Sequence, residues 1–296
     1  MKHSLTYYIT LFVLRLKGIK KQFSQDPIDY QKVRKEDVHT PKSSFFRSER
    51  VRRFQIADSN ITEVKANNGA KKLIVFIHGG AFISGPAKHH WDTAKTISEK
   101  TSNTIWMCDY PKAPEHTIDV ITQNIDHIYE KALEQFSANE IMLIGDSVGG
   151  NLIMTLVQRL VQSSSAIPNK LILVSPILDA SFDNPAIDSI EPNDPILSKS
   201  GVRSAKKMAV GDRSLKDPII SPVYGSFEGF PETILYLGEN DISYPDQVLG
   251  VEKMRNAGIE LTVRVGEGMP HIWPFLPVMK EAKSSLSDII NQLNKG

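Results

Sequence analysis

Glu140-Ile141-Met142-Leu143-Ile144-Gly145-Asp146-Ser147-Val148-Gly149-Gly150-Asn151-Leu152 is the stretch that decides the fold. It opens with a short apolar run, passes through a G-x-S-x-G element at 145–149, and continues into a helix-compatible run from Asn151 to Leu160. A serine on such a strand-to-helix turn is held in a strained, exposed position, and the flanking glycines let neighbouring backbone approach without a Cβ clash. Ser147 is therefore a candidate nucleophile on an α/β scaffold.

The pattern on either side agrees with that reading. Short apolar runs recur at 73–77, 104–108, 171–174, 233–237 and 261–265, of the kind found in a parallel sheet covered on both faces. Helix-compatible stretches lie between or after them at about 88–100, 115–135, 148–163, 243–257 and 276–293. A polar cluster, Asp58-Ser59-Asn60, separates two β-compatible runs at 50–56 and 61–64 and predicts a hairpin. The expected architecture is a mostly parallel sheet with helices on both faces. Residues 181–216 break the alternation with Asp, Pro and Ser before a helical candidate at 200–210, which fits an insertion over the carboxyl edge of the sheet. Residues 1–48 read as an accessory helical segment, so the core comprises 49–180 and 217–296. Tyr7, Tyr8, Leu11, Phe12, Leu14 and Leu16 predict an amphipathic helix that packs on the body of the protein. Arg15 and Lys17 follow the apolar run at once, which argues against a signal peptide, and the run is too short to span a bilayer.

A serine attacks an ester carbonyl only if a base removes its proton and donors stabilise the oxyanion. Among eight histidines, His271 lies just after the last strand, in Gly266-Glu267-Gly268-Met269-Pro270-His271, where a loop can reach a serine elbow. Its imidazole needs a carboxylate on the other nitrogen. Asp241 follows the preceding strand through Gly238-Glu239-Asn240 and fits, with Asp246 as the alternative. His78-Gly79-Gly80 follows the 73–77 strand, and the N–H groups of Gly79, Gly80 and Val148 form the expected oxyanion hole, with His78 structural rather than basic. Phe82, Asp146 and Trp273 are candidate pocket residues. His89-His90-Trp91-Asp92 has the composition of a metal cluster, but adjacent histidines on a helix point in different directions, so no metal and no cofactor are expected.

A chain of 296 residues, 41% hydrophobic and 23% charged, can bury a full α/β core, and a net charge of +1 gives no reason to expect nucleic acid as a partner. The one cysteine, Cys108, falls in an apparent strand and reads as a buried small hydrophobe. No disulfide framework points to secretion, and a cytoplasmic location is expected.

His78-Gly79-Gly80-Ala81-Phe82, Asp109-Tyr110-Pro111-Lys112-Ala113-Pro114-Glu115-His116 and the elbow 145–152 resemble the hormone-sensitive-lipase-like esterases of the α/β-hydrolase superfamily. The acid and base segments, Asp241 to Asp246 and Met269-Pro270-His271, resemble those of acetyl-esterase and steryl-deacetylase-like members. The resemblance implies an α/β-hydrolase fold, a helical cap built from the N-terminal segment and the insertion, and the triad Ser147, Asp241, His271. It further implies a small-molecule ester substrate with a short acyl chain, no stable membrane insertion, and the option of a homodimer. The chain departs from the pattern at Val148, Lys112 and Ile242-Ser243. An amidase on the same triad, a non-catalytic ligand receptor of the same fold, and a lipase docked on lipid through the N-terminal helix are the competing readings.

Overall fold

The computed structural model describes residues 3–66 and 72–295; residues 1–2 and 67–71 of the first two expected segments, and residue 296 of the last, lie outside them. Eight strands form one sheet: β1 (Val51–Ile56), β2 (Ser59–Val64), β3 (Leu73–Ile77), β4 (Thr104–Asp109), β5 (Ile141–Asp146), β6 (Lys170–Val174), β7 (Glu232–Gly238) and β8 (Leu261–Gly266). Their order is β1-β2-β4-β3-β5-β6-β7-β8. β1 and β2 pair antiparallel, as do β2 and β4, while the other pairs are parallel. The hairpin is tighter than the sequence predicts: β2 begins at Ser59, which pairs with Ile56. Ala57 takes φ 47°, so a two-residue loop suffices.

Helices α1 (Leu5–Leu16), α2 (Ile19–Gln22) and α3 (Tyr30–Val33) precede the sheet. Within it run α4 (Lys88–Lys100), α5 (Ile118–Leu133), α6 (Val148–Gln162), α7 (Ile187–Ile190), α8 (Lys199–Val210), α9 (Tyr244–Asn256) and α10 (Lys280–Asn294). None of them, among the described residues, is long and apolar enough to cross a membrane.

Side chains of a strand alternate between faces, and the apolar runs divide accordingly. Leu73, Val75, Ile77, Leu143, Leu171 and Leu173 face α5 and α6 in one core. Ile74, Phe76, Met142, Ile144, Ile172 and Val174 face α4 and α10 in the other. Every residue of β3, β4, β5 and β6 is buried, which is why these strands read as unbroken apolar runs rather than alternations.

β4 lies on one side of β3 and β5 on the other, so strand order reverses there and the carboxyl ends of β3 and β5 adjoin, with Ile77 beside Gly145. In an open α/β sheet such a switch point leaves a crevice for ligand. α7 and α8 belong to the connection from β6 to β7, and the N-terminal segment packs on it: the Ser204 hydroxyl accepts from the Ile28 amide at 2.9 Å. The face of α1 differs from the expectation. Tyr7, Thr10 and Leu14 are buried, whereas Tyr8, Phe12 and Leu16, spaced by four, form a separate stripe that is exposed.

Candidate active site

Ser147 stands between β5 and α6 at φ 52°, ψ −121°, a conformation that costs a non-glycine residue on the order of 1–3 kcal/mol. Its neighbours hold it there. The Ser147 amide donates to Val174 O at 2.9 Å, and its carbonyl accepts from the amides of Ile177 (3.1 Å) and Asn151 (3.2 Å). The turn also needs a residue without a side chain two positions on, because a Cβ at Gly149 would lie 2.0 Å from the Ile77 carbonyl oxygen. That close approach brings α6 against the end of β3.

His271 and Asp241 come from the loops after β8 and β7 and meet with Nδ1 to Oδ2 at 2.7 Å, both buried. The other carboxylate oxygen, Oδ1, accepts from the Ser243 amide (2.8 Å) and hydroxyl (2.6 Å). Gln247 Nε2 in turn donates to the Ser243 hydroxyl at 2.8 Å. Burial pushes the Asp241 carboxyl upward, but His271 and these hydrogen bonds outweigh it and hold it below the usual carboxylate value. Burial likewise pulls His271 down, and the charge and hydrogen bond of Asp241, with Asp194 and Asp146 farther off, raise it above its ordinary value. Asp246, the alternative acid, is elsewhere: it sits on α9, accepts from Asn184 Nδ2 at 2.9 Å, and is raised to about 6 by burial and by Asp179 and Asp183.

The loop after β3 is built around Asp146. Gly79 N–H, one of the three expected oxyanion donors, donates to Asp146 Oδ1 at 3.0 Å, so this amide is engaged by a side chain. Gly80 follows at φ 126°, where a Cβ would meet Ser84 O at 2.1 Å, and Ala81 at φ 56°. His78 is buried, donates from Nδ1 to Gly79 O at 2.6 Å, and stacks on Tyr110 with ring centroids 4.5 Å apart. Burial and the Lys112 charge hold it well below the ordinary histidine value, which suits a structural residue.

His89, His90 and Asp146 bring ligand-type atoms within 4.8 Å of one another. The Ala87 amide donates to His90 Nδ1 at 2.9 Å, so Nε2 carries the proton and donates to Asp146 at 3.2 Å. Together with the Gly79–Asp146 contact, that pair ties the 78–81 loop and α4 to the end of β5.

A cavity of about 650 Å³ opens above the switch point, lined by Gly79, Gly80, Ala81, Asp146, Ser147 and His271 on the sheet side. Residues of α1, α2, α3 and α8 line the opposite side. Asp146 lines it as expected, whereas Phe82 and Trp273 do not. Phe82 turns into the core beneath α8. The Trp273 indole donates to Leu237 O at 3.2 Å and packs with Tyr7, Met269 and Met279. Two further residues hold the acid loop: Ser243, where the chain departs from the family pattern, and Asp194, which carries no local sequence signal. Asp194 Oδ2 accepts from the Ile242 amide at 3.0 Å and Oδ1 from Ile196 and Leu197 (2.8 and 2.9 Å), tying the insertion to the acid loop. Burial and the nearby Asp241 charge raise Asp194 to about 6.

Comparison with known proteins places this geometry in context. Residues 74–275 match the model of a family described as having the alpha/beta hydrolase fold. An esterase of Acinetobacter venetianus is 31% identical over 242 residues, spanning 81% of this chain and 80% of that one. A Staphylococcus aureus crystal structure described as that of a "putative esterase" superposes with a TM-score of 0.88 at 25% identity, covering 97% of this chain and 99% of the other. An esterase from the bacterial hormone-sensitive lipase family, 20% identical, superposes at 0.86 with 99% of both chains covered and shares the fold.

Proposed function

Because the chain belongs to the α/β-hydrolase fold family and is a carboxylic-ester hydrolase, we propose that it works as a serine carboxylesterase on short-chain, acetyl-type acyl esters through an acyl-enzyme. Ser147 Oγ attacks the ester carbonyl carbon while His271 Nε2 takes its proton. Asp241, accepting from His271 Nδ1–H, fixes the tautomer and stabilises the imidazolium. The tetrahedral oxyanion is received by the N–H groups of Gly80, Ala81 and Val148. Val148 opens α6, so its amide has no partner within the helix, and Gly79 serves by holding the loop on Asp146. Collapse expels the alcohol, which takes the proton from His271. Water then enters by the same route and releases the acid.

The observation that carries this reading is the buried His271–Asp241 pair, at 2.7 Å, with His271 on the wall of the cavity that the strained Ser147 also lines. A non-catalytic receptor would have no need of a base fixed in one tautomer. The short-chain preference rests on the resemblance to acetyl-esterase-like members, and the cap of this reading comprises residues 1–48 and 181–216. The test is hydrolysis of 4-nitrophenyl esters from acetyl to decanoyl by wild type and Ser147→Ala. Serine-dependent turnover that declines with chain length supports the whole reading. Turnover of amides in place of esters would move it to an amidase on the same triad.

A further inference from the structure

Lys206 is a buried lysine of the cavity wall that this mechanism leaves without a task. It lies on α8 with 1% of its surface exposed and lines the same cavity as Ser147 and His271. Its only partner among the described residues is an aromatic face: Nζ stands 4.4 Å from the Phe82 ring centroid. No carboxylate among the described residues pairs with it. The same cavity is lined by the apolar Leu14, Ile177, Ile196, Leu197 and Val202 and carries the carboxylates of Glu36, Asp37, Asp92 and Asp146, of which Asp92 is paired with Lys88, Asp146 with His90, and Asp37 accepts from the Gly85 amide.

An ammonium group removed from water without a counter-ion is costly, and proteins place one in such a position only when something compensates it. Burial drives Lys206 well below the usual lysine value with no carboxylate among the described residues to offset it, so the amine on its own is held toward its neutral form, and a carboxylate beside it would favour the charged one. A cation–π contact with one phenylalanine offsets part of the cost at most. An anion arriving in the cavity would complete the arrangement, since a lysine–carboxylate hydrogen bond in a desolvated site is among the stronger polar contacts available.

The charge that fits is single. The other lysines bordering the cavity, Lys17 and Lys88, are exposed, and Lys88 is already paired with Asp92 at 2.6 Å. His89, also on the wall, is held neutral by burial, at about 3. One interior lysine that gains its charge beside an anion matches a monoanion on an aliphatic chain, whereas a dianionic phosphate would call for more than one donor group.

We propose that Lys206 is the recognition group for a carboxylate carried by the substrate, so that the preferred ester is a half-ester or acyloxy acid whose carboxylate lies under α8 while its scissile carbonyl lies on Ser147. This deepens the esterase reading and rests on it. Lys206 is a binding residue here, with no part in proton transfer.

The test uses two matched pairs followed by pH-stat titration: monoethyl adipate against ethyl hexanoate, which places the charge on the acyl side, and 6-acetoxyhexanoate against hexyl acetate, which places it on the alcohol side. In at least one pair, wild type favours the anionic ester by about tenfold or more in kcat/KM, a preference that needs no variant to read. Lys206→Met, which replaces the amine with an apolar chain of similar length, lowers the anionic-to-neutral ratio roughly 30-fold, chiefly through KM, and Lys206→Arg keeps part of the preference. Cleavage of the neutral esters with no anionic preference in either pair overturns the inference while leaving the esterase intact. A preference that survives in Lys206→Met also overturns it. Failure of wild type to cleave any of the four esters would remove the esterase reading and this inference with it.

Discussion

Replacing Asp241 by Asn should cripple the enzyme while leaving its shape intact, and the hydrogen bonds around the acid say why. Oδ1 accepts from both the amide and the hydroxyl of Ser243, so an asparagine must place its carbonyl oxygen there. Its NH2 group then faces His271 Nδ1, across the 2.7 Å now spanned by the carboxylate. A donor at that point forces Nδ1 to accept, which puts the imidazole proton on Nε2, the atom that has to receive the serine proton. The flipped amide would instead aim NH2 at two donors of Ser243, and each such mismatch in a buried site costs about 1–3 kcal/mol. The wrong tautomer is therefore locked in. The equivalent change in a well-studied serine protease lowers kcat by about 10⁴, and we expect a loss of about 10³- to 10⁴-fold here. The assay is kcat and kcat/KM for a short-chain 4-nitrophenyl ester, with circular dichroism to verify folding. A loss under tenfold in a folded variant would refute the tautomer argument and with it the role of Asp241.

The pH profile should carry the same signature. His271 must be neutral to act as base and its pKa is raised, so activity is present at high pH and is lost as pH falls through a value above the ordinary 6.5. An acid limb of kcat/KM centred at or below pH 6 would contradict that. Gly149→Ala should destabilise the fold by about 2 kcal/mol or more in urea unfolding, because the added methyl meets the backbone of Ile77, which cannot step aside; a change below about 0.5 kcal/mol would refute the close approach. Cys108 is buried with its thiol pushed far up by that burial, so a disulfide reagent should label the protein only after denaturation; rapid labelling of native protein would overturn its placement.

The sheet was legible because burial on both faces leaves unbroken apolar runs, and β3 to β6 carry them at the positions read from the sequence. That Ser147 and His271 would line one cavity was legible because their loops follow strands whose carboxyl ends meet at one edge. Direction within a loop was harder to read. Gly79 and Gly80 look alike in sequence, and only the capture of the Gly79 amide by Asp146 separates them, which depends on how close β3 lies to β5. Ser243 looked like a departure from the family pattern and is instead the clamp that orients Asp241. Asp194 and Lys206 gave no local signal, since each owes its environment to residues far away in the chain: Ile242 for one, Phe82 for the other. On α1, apolar residues at spacing four populate two stripes, and periodicity alone did not tell which stripe is covered.

A serine made nucleophilic by these surroundings forms a stable bond to an organophosphonate ester, which therefore tests the role of Ser147 directly. Intact-mass and peptide analysis after treatment should show one adduct per chain, on the peptide containing Ser147, formed in step with the loss of ester hydrolysis. Ser147→Ala should show neither adduct nor hydrolysis. Labelling elsewhere, or hydrolysis that persists in folded Ser147→Ala, would contradict the account.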